Sequence, residues 1–117
     1  MSLQPRAYLR HMLDEADYLI RESAGMTFED FVRDQTVRRA FVRSLEIMGE
    51  ATKKLPPELR SRHPEVDWSG MARMRDRLIH GYFGIDDNLV WVAVRQRVPE
   101  IRGQIEAILA ASSEESS

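Results

Sequence analysis

Apolar residues recur every three or four positions along most of this chain, and this spacing limits the fold more than any other feature of the sequence. The pattern covers residues 5–24, residues 35–54, a third segment from about residue 67, and a last one that ends near residue 112. Such spacing is typical of amphipathic helices, whereas the alternation that a strand needs is sustained nowhere. The pattern predicts an all-α fold, a bundle of four main helices.

Helix start and stop signals divide the first half of the chain. Gly25 is expected to end the first helix. Thr27 precedes Asp30 by three residues, which is the spacing of a capping box at the start of a short helix. The second long helix is predicted from about Gln35 to Lys54. The proline-rich connection that follows is expected to hold one short helical turn at most, starting at Pro56 or Pro57.

The second half of the chain carries a third helix and a last long one. The third helix can be capped by Asp67 or Ser69, and Gly81 is expected to stop it. The last helix can be capped by Asp86 or Asp87. Its apolar stripe continues past a proline, which predicts one kinked helix rather than two; the stripe consists of Val90, Val94, Val98, Ile101, Ile105 and Ile108.

Length and composition indicate a single domain without disulfides. The 117 residues suit one domain, expected over residues 1–112 with a disordered tail at 113–117. The chain has no cysteine, which excludes thiol catalysis and cysteine-based zinc sites. We find no signal-peptide pattern and no apolar run near the roughly 20 residues of a membrane span. A cytoplasmic protein without a membrane partner is expected.

The basic residues are fifteen arginines and two lysines, within a net charge of −2. Arginine binds phosphate with a planar, two-pronged guanidinium. The excess is equally consistent with a codon bias that places arginine on solvated helix faces. Because the sequence pI is about 5.9, any contact with nucleic acid should be local.

The segment RDRLIHGY, residues 75–82, holds the densest set of reactive side chains. Arg75 can bind a phosphodiester, His80 can transfer a proton near neutral pH, and Tyr82 can donate a hydrogen bond. On a regular helix His80 lies about 140° from Arg75, so the two approach one phosphate only if the helix ends near Gly81. The same residues also fit a plain helix end, with a C-terminal histidine, solvated arginines and a core tyrosine.

Other kinds of site are not indicated. His11 and His63 are predicted to be surface residues, and neither has a second ligand at metal-binding spacing. The glycines of the GYFG segment, residues 81–84, lack the Lys-Ser/Thr step of a phosphate-binding loop. We therefore expect no metal and no cofactor.

The segment resembles the Arg-x-x-x-x-His-x-Tyr signature of HEPN domains, in particular the HepT-like toxin branch. The similarity extends to the Gly-Glu-Ala step at residues 49–51, and to the run from His63 through Trp68 and the signature to Trp91. It covers nearly the whole chain. It implies a HEPN-like four-helix bundle.

The resemblance also implies an activity and partners. HepT-like toxins are metal-independent endoribonucleases that act as homodimers with the two motifs facing each other. Each is paired with a minimal nucleotidyltransferase antitoxin, which silences it by adenylylating the motif tyrosine and can join it in a higher assembly. Carried over, Arg75 and His80 are the catalytic residues that act on RNA, and Tyr82 is the modified or assisting residue, with Asp76 and Arg77 in support.

Residue 76 departs from the pattern, because the family most often has Asn there. An aspartate cannot donate a hydrogen bond to a phosphate. Asp76 therefore either weakens the RNA contact or orients His80 as a carboxylate partner.

Two functions remain open from the sequence. The first is the ribonuclease toxin. The second is a non-catalytic dimeric module that binds nucleotide or RNA and associates with a nucleotidyltransferase. Trp91, Phe83 and the methionines of the third helix exceed what one small core holds with ease, which predicts a dimer face for either function.

Overall fold

The computed structural model describes residues 4–81 and 84–115, and every regular element in these ranges is a helix. The elements in chain order are α1 (Pro5–Ser23), α2 (Phe28–Arg33), α3 (Gln35–Lys54), α4 (Pro57–Arg62), α5 (Trp68–Ile79), α6 (Asp87–Val92), a π-helical turn (Ala93–Arg97) and α7 (Val98–Glu115). The all-α prediction is confirmed. None of the described helices is both long and apolar enough to cross a membrane.

The predicted boundaries in the first half of the chain are confirmed. Gly25 has a φ of 76°, the left-handed conformation that ends α1 without strain in a residue that lacks Cβ. At the start of α2 the Thr27 hydroxyl accepts from the Asp30 amide at 3.1 Å, and the Asp30 carboxylate accepts from the Thr27 amide at 3.0 Å. This reciprocal pair is the predicted capping box.

The structure also resolves the alternatives left open by the sequence. The short helix α4 starts at Pro57. Asp67 caps α5, with its carboxylate accepting from the Gly70 amide at 3.0 Å. Asp86 caps α6, where the same carboxylate oxygen accepts from two backbone amides.

The last helix is continuous from residue 87 to residue 115, and the π-helical turn ends two residues before Pro99. Proline has no N–H, so it cannot bond to the carbonyl one turn earlier, and the backbone there departs from α-helical geometry. The prediction of one helix that continues through Pro99 with a local irregularity is therefore confirmed, and the irregularity is a π-helical turn. The helix extends three residues into the predicted tail, whose residues 116 and 117 lie outside the described range.

Four long elements form the bundle. The first helix, α1, packs against α3 and the last helix, and α3 also packs against α5. The apolar stripes meet in one core, and the least exposed members include Met12, Leu19, Phe31, Phe41, Met48, Val90, Val94 and Ile105. Helix α3 thus contacts α1 on one face and, on another, α5, which carries the candidate site.

Trp91, one of the residues on which the predicted dimer face rested, packs against aromatic rings of its own chain. Its ring lies 5.3 Å from the Phe31 ring and 6.3 Å from the Phe28 ring, measured between centroids. The short helix α2 folds over α6 and packs against the indole, a contact between residues about 60 apart in sequence that no local pattern predicts. Met71 is buried as well, and Phe83 lies outside the described residues.

Candidate active site

The RDRLIHGY segment ends a helix, as its glycine predicts. The last residue of α5 is Ile79, and His80 follows as the C-cap with φ −102° and ψ 4°. The Gly81 amide donates to the Leu78 carbonyl at 3.4 Å, which closes the final turn. His80 is exposed at this end of the helix.

The approach of α5 to α3 depends on Gly49. A Cβ built at Gly49 would lie 2.3 Å from the Cβ of Arg75 and 2.7 Å from the carbonyl oxygen of Met71. Both distances are far below van der Waals contact, so only glycine allows the two helices to be this close. The stem of Arg75 consequently packs against the backbone of α3.

Two carboxylates hold the Arg75 guanidinium. Nη2 lies 3.5 Å from Glu50 Oε2, and Nη1 lies 3.2 Å from Asp76 Oδ1. The Arg75 side chain is 24% exposed, so part of the guanidinium faces solvent. A phosphate that binds Arg75 would replace Glu50, whose side chain is the more exposed partner at 54%.

Asp76 is held by a lysine from α3. The Lys53 ammonium donates to Asp76 Oδ1 at 2.9 Å. This hydrogen bond holds the pKa of the Asp76 carboxyl below its ordinary value, and the hydrogen bond from Arg75 is the second-largest cause. The carboxylate is thus an anchor between α3 and α5, a role that the sequence did not predict.

Replacing Lys53 with methionine is expected to move the pKa of Asp76 back toward its ordinary value. The folded-state pKa is depressed, so the ion pair stabilises the fold above the unfolded-state pKa of about 3.9 and loses that contribution as pH falls through the folded value. NMR titration of the Asp76 carboxyl carbon measures the shift. Lys54→Met removes an exposed neighbour that has no described partner and should change nothing. An Asp76 titration that Lys53→Met leaves unaltered would contradict the assignment.

His80 contacts residue 76 through the backbone. Its Nδ1 lies 2.7 Å from the Asp76 carbonyl oxygen. A carbonyl only accepts, so Nδ1 carries the proton and the lone pair of the neutral ring is on Nε2. The sequence offered the Asp76 carboxylate as an orienting partner, whereas the contact runs through the main chain and the carboxylate bonds to Lys53 and Arg75. One residue therefore contacts both predicted catalytic side chains.

Of the two other site residues predicted from the sequence, Arg77 is not part of this cluster. Arg77 is exposed and forms no ion pair with any described residue. It is two positions from Arg75, about 200° around the helix, and so faces away from it. Tyr82 lies outside the described residues.

The remaining histidines are apart from the site. His11 is exposed on α1, as predicted. The His63 side chain is 29% exposed, its carbonyl accepts from the Trp68 indole at 2.9 Å, and its ring lies 3.6 Å from Glu65. Among residues 4–81 and 84–115, no group of three or more histidine, aspartate and glutamate side chains is arranged to hold a metal ion.

Sequence reasoning missed the supporting residues on α3. Gly49 was noted only as part of a resemblance, and Lys53 was not singled out. A local signal existed, since a glycine inside a predicted helix costs about 1 kcal/mol relative to alanine and suggests a close contact. The partner across that contact depends on the packing of α3 against α5, which the sequence alone does not give.

Comparison with known proteins agrees with the motif. The model of the HepT-like ribonuclease family matches residues 12–108. A proposed RNase of Caldanaerobacter subterraneus subsp. tengcongensis is 50% identical over 105 residues, which cover 90% of this chain and 94% of that protein. A probable ribonuclease HepT of Thermococcus cleftensis is 37% identical over 108 residues, 92% of this chain and 98% of that protein. No solved structure matches the chain. With the family pattern extending over nearly all of the bundle, the chain belongs to the HepT-like ribonuclease family.

Proposed function

We propose that this protein is a metal-independent endoribonuclease and the toxin component of a toxin–antitoxin pair. The observation that carries the proposal is the bond from His80 Nδ1 to the Asp76 carbonyl, at 2.7 Å. It places the imidazole lone pair on Nε2, where it can act as a general base, at the end of the helix that also bears Arg75. The names of the relatives support RNA as the substrate.

The chemistry requires one proton acceptor, one proton donor and one cation. His80 Nε2 takes the proton of a ribose 2′-hydroxyl, and the oxygen attacks the adjacent phosphorus. The bond to the 5′-oxygen breaks and that oxygen gains a proton, leaving a 2′,3′-cyclic phosphate and a 5′-hydroxyl. Arg75 stabilises the negative charge on the phosphoryl oxygens. With one motif histidine per chain, the second proton transfer falls to His80 of a partner copy in a homodimer.

The resemblance supplies the proposed means of regulation. A minimal nucleotidyltransferase antitoxin adenylylates Tyr82, two residues after His80 in the sequence. Each adenylate carries a phosphate, and its negative charge and bulk near the motif oppose the binding of an RNA phosphate. RNA, the antitoxin and a second copy of the chain are thus the three proposed partners.

Expression with and without a nucleotidyltransferase encoded beside this gene tests the toxin assignment. Expressed alone, the protein should arrest growth, and the arrest should disappear on co-expression. Mass spectrometry should then locate adenylate on the peptide with Tyr82. Tyr82→Phe should remain toxic beside the nucleotidyltransferase, whereas Tyr8→Phe, a matched change on α1, should be silenced like the wild type. Protection of Tyr82→Phe would contradict the proposal.

One observation favours the alternative of a non-catalytic RNA- or nucleotide-binding module. Glu50 and Asp76 already neutralise the Arg75 guanidinium, which weakens its pull on a phosphate. For this function the purified dimer should bind RNA and yield no cleavage products over hours in a chelator. The exposure of Glu50 favours the ribonuclease, because a phosphate can displace that carboxylate at little cost.

A further inference from the structure

A groove of about 650 Å³ lies beside the motif, between α3 and the described residues that follow His80, which are residues 81 and 84–87. Its walls are Gln35, Arg38, Arg39, Val42 and Glu46 from α3, and Gly81, Gly84, Ile85 and Asp87 from the opposite side. The volume lies within the range of small-molecule pockets, roughly 300–1,000 Å³. The groove begins at the residue next to the proposed general base.

We propose that this groove binds one nucleotide of a single-stranded RNA, flanking the phosphate that is cleaved, with Arg39 as its phosphate contact. The inference rests on the proposed ribonuclease function and extends it to the path of the substrate. It concerns a surface outside the Arg75–His80 cluster.

The face of α3 that forms the groove is continuous with the face that supports Arg75. Gln35, Arg39, Val42 and Glu46 are four, three and four positions apart, which places them in one row on a helix. The same row continues to Gly49, Glu50 and Lys53. The Thr52 hydroxyl lies 3.8 Å from Met71 Sδ, and Gly49 lies against Arg75, so α5 runs antiparallel to α3 and its C-terminal end points toward the groove. A strand held at the motif is thereby directed along this row.

Charge and polarity in the groove fit a nucleotide. Arg38 is occupied, because it donates to the Val32 carbonyl and lies 3.8 Å from Asp87. Arg39 is exposed and has no hydrogen-bond or ion-pair partner among the described residues, so its guanidinium is available to a phosphate.

The other end of the row suits a base. Glu46 lies two helical turns from Arg39, about 10 Å along α3, and its half-buried carboxylate can accept from a base amino group. Between them Val42 and Ile85 are half-buried apolar side chains that can contact the base face. Gly84 keeps the far wall open, since a Cβ built there meets nothing within 4 Å.

The binding of a short fluorescent single-stranded RNA to full-length His80→Ala protein tests the groove without cleavage. Arg39→Gln should weaken binding about tenfold and should reduce the slope of log K against log salt by about 0.7, the value for one lost phosphate contact on a single strand. Arg10→Gln, an exposed arginine on α1 outside the groove, is the matched control and should change neither quantity beyond a factor of about two.

A pair of opposite charges at Gly84 separates binding from folding damage. Gly84→Glu should weaken RNA binding and Gly84→Lys should strengthen it, each about three- to tenfold, because both side chains enter the same open space. If both variants weaken binding, or Arg39→Gln and Arg10→Gln lose affinity equally, the groove is not an RNA site. The proposal is also overturned if Arg39→Gln binds RNA normally but loses self-association, which would make the groove a protein contact.

The failures of the two proposals are distinguishable. If the wild type cleaves RNA and the Arg39 and Gly84 variants bind RNA normally, the groove proposal is wrong and the ribonuclease proposal stands. If the wild type does not cleave RNA but its RNA binding depends on Arg39 and Gly84, the ribonuclease proposal is wrong and the groove remains an RNA-binding site. Failure of the His80→Ala protein to bind RNA at all overturns the groove as well.

Discussion

His80→Ala should lower the rate of RNA cleavage by about 10²–10⁴-fold, the usual contribution of a general acid or base. The substitution removes the imidazole, whose Nδ1 lies 2.7 Å from the Asp76 carbonyl oxygen and whose Nε2 is the proposed proton acceptor. The imidazole is exposed at the end of α5, so its removal should change the free energy of unfolding by no more than about 0.5 kcal/mol. The same variant should not arrest growth.

Single-turnover cleavage and thermal unfolding of the same preparations measure the two effects separately. His11→Ala removes another exposed histidine, on α1, and should cleave RNA at the wild-type rate. A His80→Ala protein that folds normally and cleaves as fast as the wild type would eliminate His80 from the mechanism. An equal loss in His11→Ala would point to a general effect on RNA binding.

Gly49→Ala should destabilise the fold by about 2–3 kcal/mol, the upper range for adding a methyl group where no space exists. The new Cβ would meet the Arg75 Cβ at 2.3 Å and the Met71 carbonyl at 2.7 Å, and a backbone oxygen cannot move without the helix. For a domain of this size the midpoint of thermal unfolding should fall by roughly 10 °C. Cleavage should fall too, because α5 carries Arg75.

The same substitution at Gly103 is the matched control. Gly103 is exposed within α7, and a Cβ built there meets nothing within 4 Å. Gly103→Ala should therefore stabilise the protein by roughly 0.5–1 kcal/mol, the helix propensity difference between the two residues. Changes of the same sign at both positions would show that the close contact at Gly49 does not limit the packing of α3 against α5.

Local sequence signals account for most of the fold. The capping box of Thr27 and Asp30 and the left-handed Gly25 involve residues at most three positions apart, so spacing alone predicts them. For α5 and α6, spacing predicted a cap but left two candidates for each, of which Asp67 and Asp86 are the caps. The packing of the Trp91 ring, in contrast, depends on α2 folding across α6. That packing involves residues distant in sequence, so no local pattern predicted it, and the dimer face stays a prediction.

The candidate site divides in the same way. The motif and its helix end could be predicted from the residues between Arg75 and Gly81. The ion pair of Lys53 with Asp76, at 2.9 Å, could not, because it joins residues 23 apart through the crossing of two helices. The resemblance led us to expect Asn at position 76. The aspartate present there accepts a charge-assisted hydrogen bond from Lys53, which a neutral amide would form more weakly.

The ends of the RNA products test the central claim most directly. Purified wild-type protein is incubated with single-stranded RNA in excess chelator, and the termini of the fragments are identified by mass spectrometry. Attack by the ribose 2′-oxygen predicts 2′,3′-cyclic phosphate on one fragment and 5′-hydroxyl on the other, with both absent for His80→Ala. Intact RNA, cleavage that requires an added divalent cation, or fragments with 3′-hydroxyl and 5′-phosphate ends would contradict a metal-independent ribonuclease built on Arg75 and His80.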